Sequence, residues 1–461
     1  MKKLWLVVAL VALGGLTSKT FADVQNIRLS GDIRIRGYFL DSAGNDGSGP
    51  LDPQVKGNAS FISQRTRVSV EADLEDHVLV VVTLKAEGTW GGNDNTEPGE
   101  GGVQGASGAG SAGANGPINR GFGVGIDEAY VQFNELFYTP ATLKLGRQYL
   151  QYGRGLILSS VEQEYNYDAA RLVLDYYPLT IDIVGAQLVN NQAFSANPHS
   201  TAATPGASDL LFVNARYELS DSAIKDVEAY FGWVSQGSSG PITSSRVPPS
   251  VNGSSPLIIG ARTDINPTEG LQLWAEGAYE FGDNSDAGAN NLSAFLFNAG
   301  GKYTLKNVQW VPVLNGNYIF ASGGGKNNVD GTFIPWFDYA DGYNGYLFAP
   351  ALTDIHIFNL GASVKPYENT TLALQAYYYL KADKDGVAGS NPNVDFGGIS
   401  PAPTANSRDI GWEIDAILGY DYSKDVRAQL VYAAFVPEGA YRHAGTSAVA
   451  EEVRAEVNVK F

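Results

Sequence analysis

Four arginines, Arg34, Arg36, Arg65 and Arg67, form two pairs in which the partners are separated by one residue. In an extended chain that spacing turns both side chains of a pair to one face. Guanidinium forks gathered on one face are suited to gripping carboxylate or phosphate groups. Lys85, Lys144, Arg147, Arg171, Arg216, Arg262 and Arg454 extend this set of candidate solute-binding cations, and Arg427 shares their setting. Acids are interspersed with them: Glu71, Asp73, Glu87, Asp175, Glu218, Glu228, Asp264, Glu276, Glu280, Glu413 and Asp415. The competing reading is structural. Unpaired charge in a narrow interior is costly, so Arg–carboxylate ladders would simply fill a wall.

Other chemistries find less support. The only histidines are His77, His199, His356 and His443. His356 and Asp354 share a face if the strand alternates, but no serine partner or oxyanion element accompanies them, and a polar pair accounts for both. No catalytic residue and no cofactor is expected. The absence of cysteine removes thiolate metal sites, disulfides and cysteine nucleophiles. No clustered His/carboxylate spacing suggests a bound metal. Loosely held Ca²⁺ or Mg²⁺ on loop acids such as Asp94, Glu97, Glu100, Asp330, Asp383 and Asp385 is the one ion expectation. Tyr377, Tyr378, Tyr379, Tyr343, Tyr346 and Trp336 can be read as a sugar track, but are read first as interfacial girdle residues. A chain this acidic, with no basic patch, excludes nucleic acid as a partner.

The elements that must position these groups are strands. Ile27, Leu29, Ile33, Ile35 and Phe39 alternate with Arg28, Asp32, Arg34, Arg36 and Tyr38. The same period of two recurs in Val78, Val80, Val82 and Leu84 against Lys85 and Glu87, and in Trp412, Ile414 and Ala416 against Glu413 and Asp415. Eighteen such segments begin near residues 25, 59, 77, 124, 141, 168, 179, 208, 225, 256, 269, 292, 309, 352, 369, 408, 425 and 449. Short turns alternate with long Gly/Ser/Asn/Pro-rich links at 41–57, 91–122, 191–207, 236–255, 322–351, 382–407 and 437–448. Short periplasmic turns and long external loops are the organisation of an all-β transmembrane antiparallel barrel. A soluble sandwich has no reason to alternate its loop lengths in this way. Link 91–122 is read as an external loop, or as a lid that folds toward the pore.

The ends agree with that reading. Lys2 and Lys3 precede an apolar run from Leu4 to Leu16, so 1–22 is read as a signal peptide and 23–461 as a single barrel. Removing 1–22, with its three lysines, leaves 28 Lys+Arg against 49 Asp+Glu, a net charge of −21. The last strand alternates Val453, Ala455, Val457 and Val459 with Arg454, Glu456, Asn458 and Lys460, then ends in Phe461. A terminal aromatic of this kind has the form of an address for barrel-insertion machinery. The expected location is the outer membrane of a Gram-negative bacterium, among its lipid and lipopolysaccharide.

Several segments also resemble a known family. Asp127-Glu128-Ala129-Tyr130-Val131, Leu143-Lys144-Leu145-Gly146-Arg147-Gln148, Tyr152-Gly153 and Asp168-Ala169-Ala170-Arg171 look like the mid-barrel signature of the alginate-export outer-membrane porins. Gly411-Trp412-Glu413-Ile414-Asp415, Tyr420 to Asp425 and Tyr432 to Gly439 are similar to that family's closing strands. The resemblance implies an 18-stranded, monomeric porin that passes a solute or polymer, for the named member an anionic polysaccharide led through an arginine-lined constriction. Two alternatives stay open: a general diffusion porin, for which the net charge of −21 points to cation preference, and a barrel scaffold for a partner protein.

Overall fold

A computed structural model describes residues 24–41, 58–90, 123–160, 166–189, 208–219, 223–235, 255–283, 291–326, 329–334, 336, 344–384, 407–440 and 449–461. The expected signal peptide and the 91–122 link lie outside them. The strands in chain order are β1 (Val24–Asp41), β2 (Asn58–Leu74), β3 (Val78–Thr89), β4 (Gly123–Phe133), β5 (Ala141–Gln148), β6 (Tyr167–Tyr176) and β7 (Leu179–Val189). Next come β8 (Ser208–Glu218), β9 (Ile224–Ser235), β10 (Ser255–Thr268), β11 (Leu271–Asp283), β12 (Asn291–Thr304) and β13 (Val313–Ala321). The last are β14 (Gly325–Lys326), β15 (Val329–Asp330), β16 (Ile355–Tyr367), β17 (Thr370–Lys381), β18 (Asp409–Asp421), β19 (Val426–Pro437) and β20 (Ala450–Lys460).

Setting aside the two-residue β14 and β15, eighteen strands form a closed antiparallel barrel. Each pairs with its sequence neighbours, β13 reaches across to β16, and β20 pairs with β1 from Asp32↔Lys460 to Asp41↔Glu451. The largest disagreement with the expected strand starts is at β13, expected near 309 and observed from Val313. Phe461 completes the closure. Its N–H donates to the Gly31 carbonyl at 3.0 Å, the Gly31 N–H donates back at 2.8 Å, and the ring lies where a Cβ on Gly31 would sit.

Lipid and water impose opposite demands on the two faces. Leu29, Val70, Ile259, Phe295, Leu360 and Leu374 are exposed on the outside, where hydrocarbon meets them. Tyr138, Tyr176, Tyr217, Trp310, Tyr367 and Tyr422 ring the short-turn end as an interfacial girdle. The inside departs from a purely polar lumen. Ile258, Leu296, Ile319, Ile355, Ile357 and Phe435 point inward from the half nearer the long loops, and they pack against segments folded in from above.

Candidate functional site

Among the described residues, two connections enter the barrel. The first, 149–160, leaves β5 and crosses to β9–β11. A register shift between Thr83 and Leu84 lets the β4 residues Asp127 and Glu128 both turn inward. The Asp127 carboxylate then accepts the Tyr149 hydroxyl and, at 2.8 Å, the Asn166 amide. Burial beside that carboxylate pushes the Tyr149 hydroxyl pKa up, so the phenol stays a donor. Leu150, Leu156, Ile157 and Leu158 are buried, and Tyr152 stacks on Phe212 at 4.9 Å. At the tip, the Gly153 N–H donates to Glu228 Oε1 and the Arg154 N–H to Glu276 Oε2, each at 2.9 Å. Gly153 has φ +59°, and a Cβ there would run into the Glu276 carboxylate. Only glycine makes that approach without strain.

The second connection runs from Ser322 to Asp354. Ile334 N–H and Trp336 Nε1–H donate to the two oxygens of Glu280 at 2.9 and 2.7 Å. Leu347 N–H and Phe348 N–H donate to the two oxygens of Glu413 at 2.8 and 2.9 Å, and the Tyr379 hydroxyl donates to the Asn344 carbonyl at 2.7 Å. Phe333, Leu347 and Phe348 are fully buried, with Phe348 stacked on Phe435 at 4.9 Å. Several acids expected to balance arginines therefore hold loop backbone instead. A buried N–H needs an acceptor, and a wall carboxylate supplies two.

The basic residues concentrate on the wall β20-β1-β2-β3. Arg34, Arg36, Arg65 and Arg454 are buried against it. Arg34 reaches Glu87 at 3.3 Å, Arg36 donates to Glu456 at 2.5 Å, and Arg65 lies 3.7 Å from Asp32. Arg67 pairs with Asp32 and donates to the Tyr149 hydroxyl at 3.4 Å, which ties this wall to the first inward segment. Lys85 lies 3.5 Å from Glu87. Arg454 bonds Glu452 at 2.7 Å and stacks over the rings of Tyr38 and Tyr346 at 5.1 and 5.3 Å. A second ladder runs across β8–β10, where Arg216 meets Asp226 at 2.6 Å and Arg262 meets Glu228 at 2.6 Å. Arg171 bonds Asp182 at 2.7 Å, and Lys144 sits 3.5 Å over the Tyr130 ring. The ladder reading thus describes every inward candidate except Lys144, which has no carboxylate within ion-pair distance among the described residues.

Three expectations need correction. Arg147 does not join the lumen set. Gln148 and its cross-strand partner Tyr167 are buried inside, so Arg147 and Asp168 face out and pair bidentately at 2.9 Å on the outer surface. His356 does not pair with Asp354. The backbone turns at Asp354 (φ +48°), which leaves Ile355 and Ile357 inside and His356 outside, against Phe320 and Phe358 and 2.9 Å from the Tyr318 hydroxyl. Tyr346, Tyr377, Tyr379 and Trp336 are interior residues rather than girdle residues, while Tyr378 does face out. Tyr343 lies outside the described residues.

Sequence reasoning missed the segment 149–160 and a group of amides. On the short-turn side of the inward segments, Asn298, Asn315, Asn317, Asn359 and Gln375 line a cavity of about 340 Å³ together with Arg154, Lys302, Tyr346 and Tyr377. Isolated asparagines on alternating strands look like ordinary solvated positions, so only the register of β12, β13, β16 and β17 brings them together.

Comparison with known proteins gives three findings. The sequence profile of a family described as alginate export matches residues 50–455. Among solved structures, the chain is similar to Pseudomonas aeruginosa OccK11 (OpdR), with TM-score 0.53 and 11% identity over 95% of this chain and 97% of that one. It is similar to Pseudomonas aeruginosa OpdK with vanillate (TM-score 0.54, 10% identity, 94% and 98% covered). Likewise it is similar to Pseudomonas aeruginosa OccK2 (OpdF) in complex with glucuronate (TM-score 0.53, 10% identity, 96% and 99% covered). At these identities the likeness is one of fold. No curated protein matched the sequence.

Proposed function

We propose, since this chain belongs to the alginate-export family and is an outer-membrane channel, that the solute it passes is hydrophilic, anionic and of saccharide type. One observation carries this reading. On the inward faces of Asp32–Tyr38, Ser63–Arg67, Thr83–Glu87 and Glu452–Glu456 there are six cations, Arg34, Arg36, Arg65, Arg67, Lys85 and Arg454. The same stretches carry four inward acids, Asp32, Glu87, Glu452 and Glu456, so this wall is locally cationic in a strongly acidic chain. The two inward segments reach this wall at Tyr149, which accepts from Arg67, and at Tyr346, over which Arg454 lies, so it borders the interior that they narrow. In a confined, partly dehydrated channel such a field concentrates anions. Two structural neighbours were solved with carboxylates, vanillate and glucuronate, which agrees with an anionic solute for this fold.

A second reading, a general diffusion channel, is favoured by the carboxylate partners these cations already have. The two readings separate in a planar bilayer under a KCl gradient. The first expects a reversal potential of anion-selective sign that moves toward zero when Arg34, Arg36, Arg65 and Arg67 are replaced by Gln. Cation selectivity, or no selectivity, in the unaltered channel would rule the first out and leave the general porin.

A further inference from the structure

The amide-lined cavity differs in chemistry from the basic wall. Asn317 Oδ1 accepts from Trp274 Nε1 at 2.9 Å and from Asn298 Nδ2 at 2.8 Å. Asn315 Nδ2 donates to Asn359 Oδ1 and Gln375 Oε1, both at 3.1 Å, and Gln375 Nε2 donates back to Asn315 Oδ1 at 3.2 Å. Five amides are therefore fixed in orientation before any solute arrives. Each amide offers both donors and an acceptor, the mixed set that hydroxyl groups satisfy and a carboxylate does not. The Asn317 Nδ2 group has no hydrogen-bond partner among the described residues and belongs to a residue lining the cavity.

Two glycines shape this floor. A Cβ on Gly300 would lie 2.6 Å from both the Trp274 ring and Asn317 Oδ1, and one on Gly361 would collide with the Gln375 amide. Their absence of side chain lets Trp274 and Gln375 lie against the wall, so the amides form a surface instead of projecting into the passage. Above it, Arg154 is fixed over Trp274 at 4.3 Å and bonded to Asp264 at 3.3 Å. Tyr346 lines the cavity and also touches Arg454, which makes the floor continuous with the basic wall.

We infer that this floor is a binding subsite for the hydroxyl-bearing ring of a saccharide, and that it recognises the hydroxyls whether or not the ring carries a charge. About 340 Å³ is at the small end of the ~300–1,000 Å³ range of ligand sites, so one ring at a time fits it. A simple polar wall would need neither the preset amide network nor the two glycines that flatten it. The inference rests on the selective-channel reading above but assigns the hydroxyls and the charge to different residues.

Single-channel recording separates these roles, using glucose, glucuronate and cyclohexanecarboxylate as three probes. Both sugars are expected to interrupt the current of the unaltered channel, with glucuronate also sensing the arginine wall. Asn317→Leu and Gln375→Leu, with Asn317→Ala as a milder variant, should shorten both sugars' dwell times about tenfold, the size of one or two lost hydrogen bonds. The KCl reversal potential should not move, and a conducting channel is itself proof of folding. If glucuronate and cyclohexanecarboxylate interrupt equally while glucose does not, charge alone is read and the subsite is overturned. If the unaltered channel is cation-selective yet the amide variants still shorten glucose dwell, the anion reading fails and the subsite stands.

Discussion

Replacing Glu280 tests whether the barrel interior is closed by carboxylate hooks. Glu280 is fully buried, and its two oxygens accept Ile334 N–H at 2.9 Å and Trp336 Nε1–H at 2.7 Å. Leucine has similar bulk and no acceptor, so Glu280→Leu leaves two buried donors without partners. Each such donor costs about 1–3 kcal/mol, about 2–6 kcal/mol for the pair. At a factor of ten per 1.4 kcal/mol, even the low end shifts the equilibrium for releasing this limb by about 30-fold. Glu280→Gln keeps one carbonyl oxygen and should give about half the free-energy change. The limb that carries Leu347 and Phe348 remains held by Glu413, so the effect should be partial opening, not loss of the whole connection. The assay is single-channel recording, where Leu should add open levels larger than the parent's, with Gln intermediate. Tryptophan emission should shift to the red as Trp336 meets water. Unit conductance and open-channel noise identical to the parent in Glu280→Leu would refute the hook.

Three further outcomes are expected. Arg147→Ala should leave the KCl reversal potential unchanged and cost about 1 kcal/mol or less in urea unfolding, because its pair with Asp168 is partly exposed on the outer face; a shifted potential would put Arg147 back in the passage. Gly153→Ala should destabilise the 149–160 segment by about 1–3 kcal/mol, since the residue has φ +59° and its new methyl meets Glu276. The readout is open-channel noise, and an unchanged trace would deny that the tip is seated. Burial pushes the Asp354 carboxyl up to about 6, above its unfolded value. The stability tied to this group is therefore present at acid pH and lost as pH rises through about 6. Asp354→Asn should reduce the fall in urea midpoint between pH 4 and pH 7.5, and an unaltered fall would discount the group.

The strands were legible because lipid on one side and water on the other force a period of two, and a slip of one residue would turn every side chain the wrong way. That signal carries Leu29 against Arg34 and Leu374 against Gln375 without ambiguity. It fails where the chain leaves the sheet. The run Leu156-Ile157-Leu158 has no alternation, yet three consecutive apolar residues in a connection are themselves a sign of burial. Glu276, Glu280 and Glu413 were legible as inward-facing but not as hooks, because their partners are backbone N–H groups that composition cannot reveal. Lys144 and Arg147 are three positions apart on one strand, so one had to face outward, and local spacing alone does not say which. The φ of +48° at Asp354 is likewise invisible in sequence and reverses the facing of His356. The motifs that carry the family resemblance contain several of the anchoring groups: Asp127 under Tyr149, Gly153 at the tip, and Glu413 beneath Leu347 and Phe348.

The two inward connections also have a mechanical consequence. A closed ring of strands, each bonded only to its neighbours, is a hoop, and a hoop flattens under lateral load with little resistance. Segment 149–160 starts at β5 and is fastened to β9 and β11, while the later connection is fastened to β11 and β18. Each is a chord across the circle, and β11 is an anchorage common to both. Together they work as tie-beams that keep the cross-section round when the bilayer presses on it. The same residues that narrow the passage therefore also brace its outline, with Glu276 and Glu280 as the two anchorages on β11.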